Sequence, residues 1–241
     1  HVIDRAEPAN MTKAGFDGRT SAISSSSMKM LTAIGLGDAM TGNGCPIEQI
    51  WVSDGLKPGA LDFVPGADDG FLGQMFENRF LRRTLYEAAM ANGAITLHMP
   101  AGIITKSRDD GAATVVLDNG AVLKAALMII AEGRQSATRD EANMKIAHWQ
   151  YGHNALVGAI FHEKPHNNTA YEIFYSSGPF AVLPMLDGED GRHRSAIVWS
   201  VDEADAPGYL KLSPRGYAAE LEKAMGGILG AVELAAPLST Y

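Results

Sequence analysis

The sequence predicts a mixed α/β (α+β) chain in which a partial Rossmann-like domain is interleaved with a mostly antiparallel sheet domain. Three observations carry this reading. The chain opens on His1-Val2-Ile3-Asp4, an apolar pair closed by an acid, as a buried parallel strand finishes. A periodic helix over 78–90, with Leu81, Leu85, Ala88 and Ala89 on one face, leads through short strands to the wholly apolar Leu127-Met128-Ile129-Ile130. From about residue 148 the chain turns to β-branched and aromatic runs separated by polar turns. The segments 1–46 and 76–146 are assigned to the Rossmann-like domain, and 47–75 and 147–241 to the sheet domain.

Each element has a local reason. Ile23, Met28, Leu31, Ile34 and Leu36 give 21–36 a helical face, the serines Ser24 to Ser27 suit its start, and Gly35 and Gly37 its end. Residues 47–54 alternate as a strand, with Ile47, Gln49, Trp51 and Ser53 on one side, and the turn-rich 55–70 reads as a hairpin arm. Asn92-Gly93 stops the helix over 78–90. Strands are expected over 95–98, 102–106, 113–117 and 122–130, with a tight turn at Asp118-Asn119-Gly120. The last of these should be covered on both faces where it becomes wholly apolar. Strands over 155–162, 170–175, 180–185 and 195–201 form the second sheet. A helix follows over 214–225, with Pro214 suited to its first turn.

Composition narrows the function. The net charge of -8 comes from scattered acids, which argues against a nucleic-acid partner. Cys45 is the only cysteine, so an internal disulfide and a cysteine-built zinc site are excluded. It reads as a structural thiol in a reducing, cytoplasmic setting. No apolar run is long enough for a transmembrane helix. His148, His153, His162 and His166 lack metal-site spacing and read as turn and surface residues. No metal is expected. The opening inside an element, without a starting methionine, points to missing upstream sequence.

Four ordered patches carry a resemblance: Phe16-Asp17-Gly18-Arg19-Thr20-Ser21; Glu77-Asn78-Arg79-Phe80-Leu81-Arg82-Arg83; Ala131-Glu132-Gly133-Arg134-Gln135-Ser136; and Gly178-Pro179-Phe180-Ala181-Val182-Leu183-Pro184-Met185 with Ser195-Ala196-Ile197-Val198-Trp199. In order and spacing the chain resembles the 2-polyprenylphenol hydroxylases of ubiquinone biosynthesis, flavoproteins of the para-hydroxybenzoate-hydroxylase type. The resemblance implies an FAD-dependent monooxygenase that hydroxylates a polyprenylated phenol, with NAD(P)H as reductant and oxygen as co-substrate. It also implies membership of a ubiquinone-biosynthesis complex and peripheral contact with the inner membrane, where such a substrate resides.

The resemblance assigns the cofactor to six residues. Asp4 would meet a ribose hydroxyl, Arg19 the flavin, and Asn78, at a helix start, the diphosphate-ribityl region. Glu132, Gly133 and Arg134 stand where the family has Asp-Gly-Arg, with a carboxylate one methylene longer. Phe180, Val182 and Leu183 are expected to give an apolar substrate wall. The cofactor carries the chemistry, so no catalytic base is named. The family's Gly-rich phosphate loop and a later Gly-Asp segment are absent, and the 241-residue chain alone is expected to bind FAD poorly or not at all and to be inactive. Two alternatives stay open: another flavoprotein of the same fold, or a non-catalytic lipid-phenol binding or assembly module.

Overall fold

The computed structural model describes residues 1–13, 15–67, 70–109 and 111–241. In chain order its elements are β1 (Val2–Ile3), α1 (Pro8–Met11), β2 (Thr20–Ser24), α2 (Ser25–Ala33), α3 (Gly37–Met40), β3 (Cys45–Ile47), β4 (Gln49–Asp54), β5 (Leu61–Phe63), β6 (Gly73–Glu77), α4 (Asn78–Ala91), β7 (Leu97–His98), β8 (Ile103–Arg108), β9 (Ala113–Leu117), β10 (Val122–Ala125), α5 (Ala137–Glu141), β11 (His153–His162), β12 (Thr169–Tyr175), β13 (Gly178–Met185), β14 (His193–Asp202), α6 (Ala206–Leu210), α7 (Pro214–Met225), β15 (Val232–Leu234) and β16 (Ser239–Thr240). They fall into two compact units, residues 1–12 with 89–151 and residues 13–88 with 152–241. By packing, therefore, residues 13–46 and 76–88 group with the large sheet.

The larger unit is built on a sheet ordered β15-β11-β14-β13-β12-β4-β5, with β16 also on β11. All neighbours are antiparallel except β12 and β4. Because strand side chains alternate between faces, the sheet presents two surfaces. One carries Leu156, Ile160, Ile173, Phe180, Val182, Ile197 and Trp199 against Tyr217, Leu221 and Met225 of α7. Helix α7 is fixed at its start by Ser213, whose hydroxyl accepts from the Gly216 N–H. It ends at Gly226, whose φ of 61° places it in the left-handed region. The opposite surface is covered at one end by the small sheet β2-β6-β3, where Cys45, Ile47 and Met75 pack on Ala170 and Leu183. Cys45 is buried there, and burial pushes its thiol up to about 12, as a structural thiol requires.

The expected helix over 21–36 starts later. Ser21 to Ser24 pair with β6, and the Ser24 hydroxyl caps α2 at the Ser27 N–H. The serine run does begin the helix, but the residues before it are drawn into a sheet by a partner that was not identified as a strand.

In the smaller unit β1 pairs in parallel with β7, and β10-β9-β8 form an antiparallel meander. The turn at Gly120, φ 83°, joins β9 to β10 as expected. Ala101, Val115 and Leu117 form its core, with Ile3 and Met128 against them. Leu127 to Ile130 are not the doubly covered strand expected. They pair with no strand among the described residues, and Leu127 and Ile129 are 73% and 81% exposed. Only Met128 turns inward. An apolar run needs neighbouring strands to become a buried one, and none flanks this segment among the described residues.

Candidate functional site

Arg19 and Asn78 are brought together by strand pairing. Thr20 of β2 stands opposite Glu77 of β6, so the residue before one strand meets the residue after the other. The Asn78 N–H donates to the Arg19 carbonyl at 3.0 Å, and the Ser21 hydroxyl donates to Asn78 Oδ1 at 2.7 Å. Asn78 is thus the first residue of α4 and is tied to β2 by main chain and side chain alike.

Gly18, at φ 79°, makes the turn that folds Asp17 back on Arg19. Asp17 Oδ1 accepts from the Arg19 N–H at 3.1 Å, and Oδ2 from Nε and Nη2 at 3.1 and 2.7 Å. Arg82, one turn into α4, reaches the same Oδ2 at 3.4 Å. Burial alone would raise the Asp17 carboxyl, but the bonds from Arg19 outweigh it and hold the group below its usual range. The same contact raises the Arg19 guanidinium. Arg19 is therefore oriented before any ligand arrives, with its side chain still 41% exposed. Asp17 and Arg82 were missed from the sequence; the Asp-Gly turn was the signal that could have given the first.

Glu77, just before Asn78, holds two more arginines. Its carboxylate bonds Arg79 Nε, and Oε1 lies 2.9 Å from Arg194 Nη2 on β14. Both guanidinium groups lie over the Phe16 ring, at 5.8 and 5.3 Å. Of the three arginines on α4, Arg79 and Arg82 are structural partners of acids and Arg83 alone is exposed.

In the smaller unit Asp4 follows the parallel strand β1 as expected. It is exposed, and its Oδ1 accepts from the Ala6 N–H at 2.8 Å. Gly133 has φ 77°, and the space where a Cβ would stand is open. Arg134 beside it is exposed. Glu132 does something else. Its carboxylate accepts from the Ser136 hydroxyl at 2.7 Å, the Thr138 N–H at 3.0 Å and the Thr138 hydroxyl at 2.7 Å. These bonds, the Thr138 hydroxyl foremost, hold its carboxyl at about 2. The longer side chain folds onto the start of α5 and fixes the Gly133-Arg134 turn from behind.

A folded-state carboxyl held this low contributes stability that is present above its ordinary value, near 4.3, and is lost as the pH falls toward 2. Amide exchange at Thr138 and Arg139 should therefore quicken between those limits. Glu132→Gln should remove that pH dependence; unchanged exchange in the variant would refute the assignment.

The expected apolar wall divides. Phe180 and Val182 are 0% and 1% exposed beneath α7, with Phe180 edge-on to Trp199 at 5.3 Å. Leu183, one residue on, faces the other way with Cys45 and Met75. Strand alternation forbids all three from lining one surface. Two histidines read above as surface residues are interior. His162 bonds Ser195 Oγ at 3.0 Å and the Lys164 carbonyl at 2.8 Å, and His166 bonds the Met185 carbonyl at 2.9 Å. Burial lowers the pKa of both, so each packs as a neutral ring.

No family model matches the chain. The ubiquinone hydroxylase UbiL of Rhodospirillum rubrum is 36% identical over 240 residues, covering 100% of this chain and 55% of that protein. Over its whole length, therefore, the chain is similar to a ubiquinone hydroxylase. The 3-demethoxyubiquinol 3-hydroxylase of Escherichia coli is 29% identical over 200 residues, 82% of this chain and 50% of that protein. The chain thus spans about half the length of these relatives. Among solved structures, PqsL of Pseudomonas aeruginosa, a probable FAD-dependent monooxygenase, matches with a TM-score of 0.72 at 19% identity. That match covers 97% of this chain and 65% of PqsL. HpxO of Klebsiella pneumoniae, crystallised with FAD, matches with a TM-score of 0.63 at 15% identity, covering 94% of this chain and 60% of HpxO. The chain therefore shares its fold with FAD-dependent monooxygenases.

Proposed function

We propose that this chain carries the core of an FAD-dependent monooxygenase that hydroxylates the ring of a polyprenylated phenol in ubiquinone biosynthesis, using NAD(P)H and oxygen. The observation that supports it most is the Arg19–Asn78 junction, where a pre-oriented guanidinium and a helix-start amide stand side by side. Each unit carries residues that suit part of a dinucleotide. In the larger unit Arg19 offers charged donors to phosphate and Asn78 an amide; in the smaller unit, taken by itself, Arg134 is exposed and Gly133 makes an open turn. Asp4, at the end of a parallel strand, suits a ribose hydroxyl. Glu132 serves the smaller unit's residues indirectly, by holding the turn. When bound, FAD supplies the redox chemistry that links NAD(P)H, oxygen and the ring. The protein's part is to hold the cofactor, present an apolar surface and keep water out. The functional division into cofactor segments 1–46 and 76–146 and substrate segments 47–75 and 147–241 belongs to the same proposal.

Among the described residues no helix is long and apolar enough to cross a membrane. Peripheral attachment, and a place in a ubiquinone-biosynthesis complex, are proposed on the lipid character of the substrate alone.

The test is made on the full-length protein. It should take up FAD, oxidise NAD(P)H in the presence of oxygen and a short prenylphenol, and release that phenol bearing one more oxygen by mass. Arg19→Ala should weaken FAD binding roughly tenfold to a hundredfold, as loss of a charged hydrogen bond implies. Flavin fluorescence titration reads this directly. NAD(P)H oxidation without ring oxygenation would favour a reductase of the same fold, and absence of FAD uptake would overturn the flavoprotein reading.

A further inference from the structure

The sheet surface opposite α7 carries a half-buried carboxylate with no partner among the described residues. Strand register sets Leu61, Val52, Glu172, Ala181, Val198 and Val157 in a single row across β5, β4, β12, β13, β14 and β11. Glu172 is the one ionisable side chain in that row. It is half-buried and has no hydrogen-bond or ion-pair partner among the described residues, and burial pushes its carboxyl up. Elsewhere on this surface Glu48, exposed just before β4, lies toward Cys45, and Glu233 of β15 holds Arg192 at 3.0 Å; the remaining strand charges among the described residues are paired. On β4, Asp54 holds Lys57 at 2.7 Å. On β14, Arg194 holds Glu77, and Asp202 faces His153 of β11 at 3.5 Å. Strands β12 and β13 bring no other charge to it, because Tyr171 and Tyr175 point to the α7 side. Leu61 of the same row is 66% exposed, so the row is open at its β5 end.

A lone carboxylate on an apolar wall costs free energy unless a ligand supplies its donor. Departures from local design of this kind gather at functional sites. The ligand that suits the row has an apolar body, one O–H donor and no negative charge, since a carboxylate or phosphate would repel Glu172. A phenol with a hydrocarbon tail has this chemistry. We propose that Glu172 touches the substrate, its carboxylate accepting the hydrogen bond of the ring hydroxyl while the flanking valines and Leu61 take the apolar body. Naming that hydroxyl as a ring hydroxyl rests on the hydroxylase reading above.

The test uses the full-length protein, with 2-geranylphenol and its O-methyl ether as probes and calorimetric titration as readout. Wild type should bind the phenol roughly tenfold tighter than the ether. Glu172→Leu should erase that preference while still binding the ether, which shows that the variant is folded. Glu172→Gln, whose amide oxygen still accepts, should keep part of the preference. In wild type the preference should fall as the pH is lowered through the raised carboxyl value, because the neutral acid is a poorer acceptor; in the glutamine variant it should not. Equal binding of phenol and ether by wild type, or an unchanged preference in Glu172→Leu, overturns the contact and leaves the hydroxylase reading standing. A preference that depends on Glu172, in a protein that never oxygenates the phenol, overturns the hydroxylase reading and leaves the contact.

Discussion

Phe180→Ala is expected to destabilise the larger unit by about 3–5 kcal/mol. The ring is wholly buried between β13 and α7, edge-on to Trp199, in a core shared with Tyr217 and Leu221. Truncation loses the transfer free energy of the ring and leaves a hole that a sheet and a helix fixed at both ends cannot close. Urea unfolding followed by tryptophan fluorescence should show a lower midpoint with an unchanged slope. A loss below 1 kcal/mol would mean that Phe180 lines an open surface. Leu183→Ala makes the contrast, because it touches the junction with β2-β6-β3 and leaves the α7 core intact.

The second large effect is expected at Glu77. Its carboxylate sits between Arg79 and Arg194, and the side chains of Glu77 and Arg194 are only 15% and 14% exposed. Glu77→Leu leaves Arg194 without its carboxylate in a partly dehydrated place and should cost on the order of 3 kcal/mol. Glu77→Leu combined with Arg194→Met should recover much of this, because removing both charges is far cheaper than removing one. If the double variant is as unstable as the single, the cluster is not an ion-pair network in the sense described. Glu77 adjoins Asn78, so the single variant should also shift the Arg19–Asn78 junction and weaken FAD binding in the full-length protein.

Where local sequence decided an element, the sequence was enough. Pro214 with Ser213, the periodic face of α4 and the Asp118-Asn119-Gly120 turn each carry their own cause, and each element forms where expected. Where a partner decided it, the sequence misled. Ser21 to Ser24 have a helical neighbour but lie in a sheet because Gly73 to Glu77 lie beside them, and that short strand has no alternation of its own. Leu127 to Ile130 have the composition of an interior strand and lie exposed for want of neighbours among the described residues. Gly178 to Met185 were read as one wall although alternation, visible in the sequence, already separates Phe180 and Val182 from Leu183. Asp17 and Glu172 were passed over for opposite reasons. An acid in a turn and an acid in a strand both look like solvated residues, and only the third dimension shows one clamping two arginines and the other left without a partner.

The one parallel join in the large sheet also shapes how the chain must reach this fold. Gln49 and Thr169 bond across it at a separation of 120 residues. A nascent polypeptide emerging from the ribosome would present β4 and its hairpin long before β12 exists to dock beside them. Until then their greasy edges need shelter, so assembly of this sheet should be slow, late and sensitive to chaperone supply.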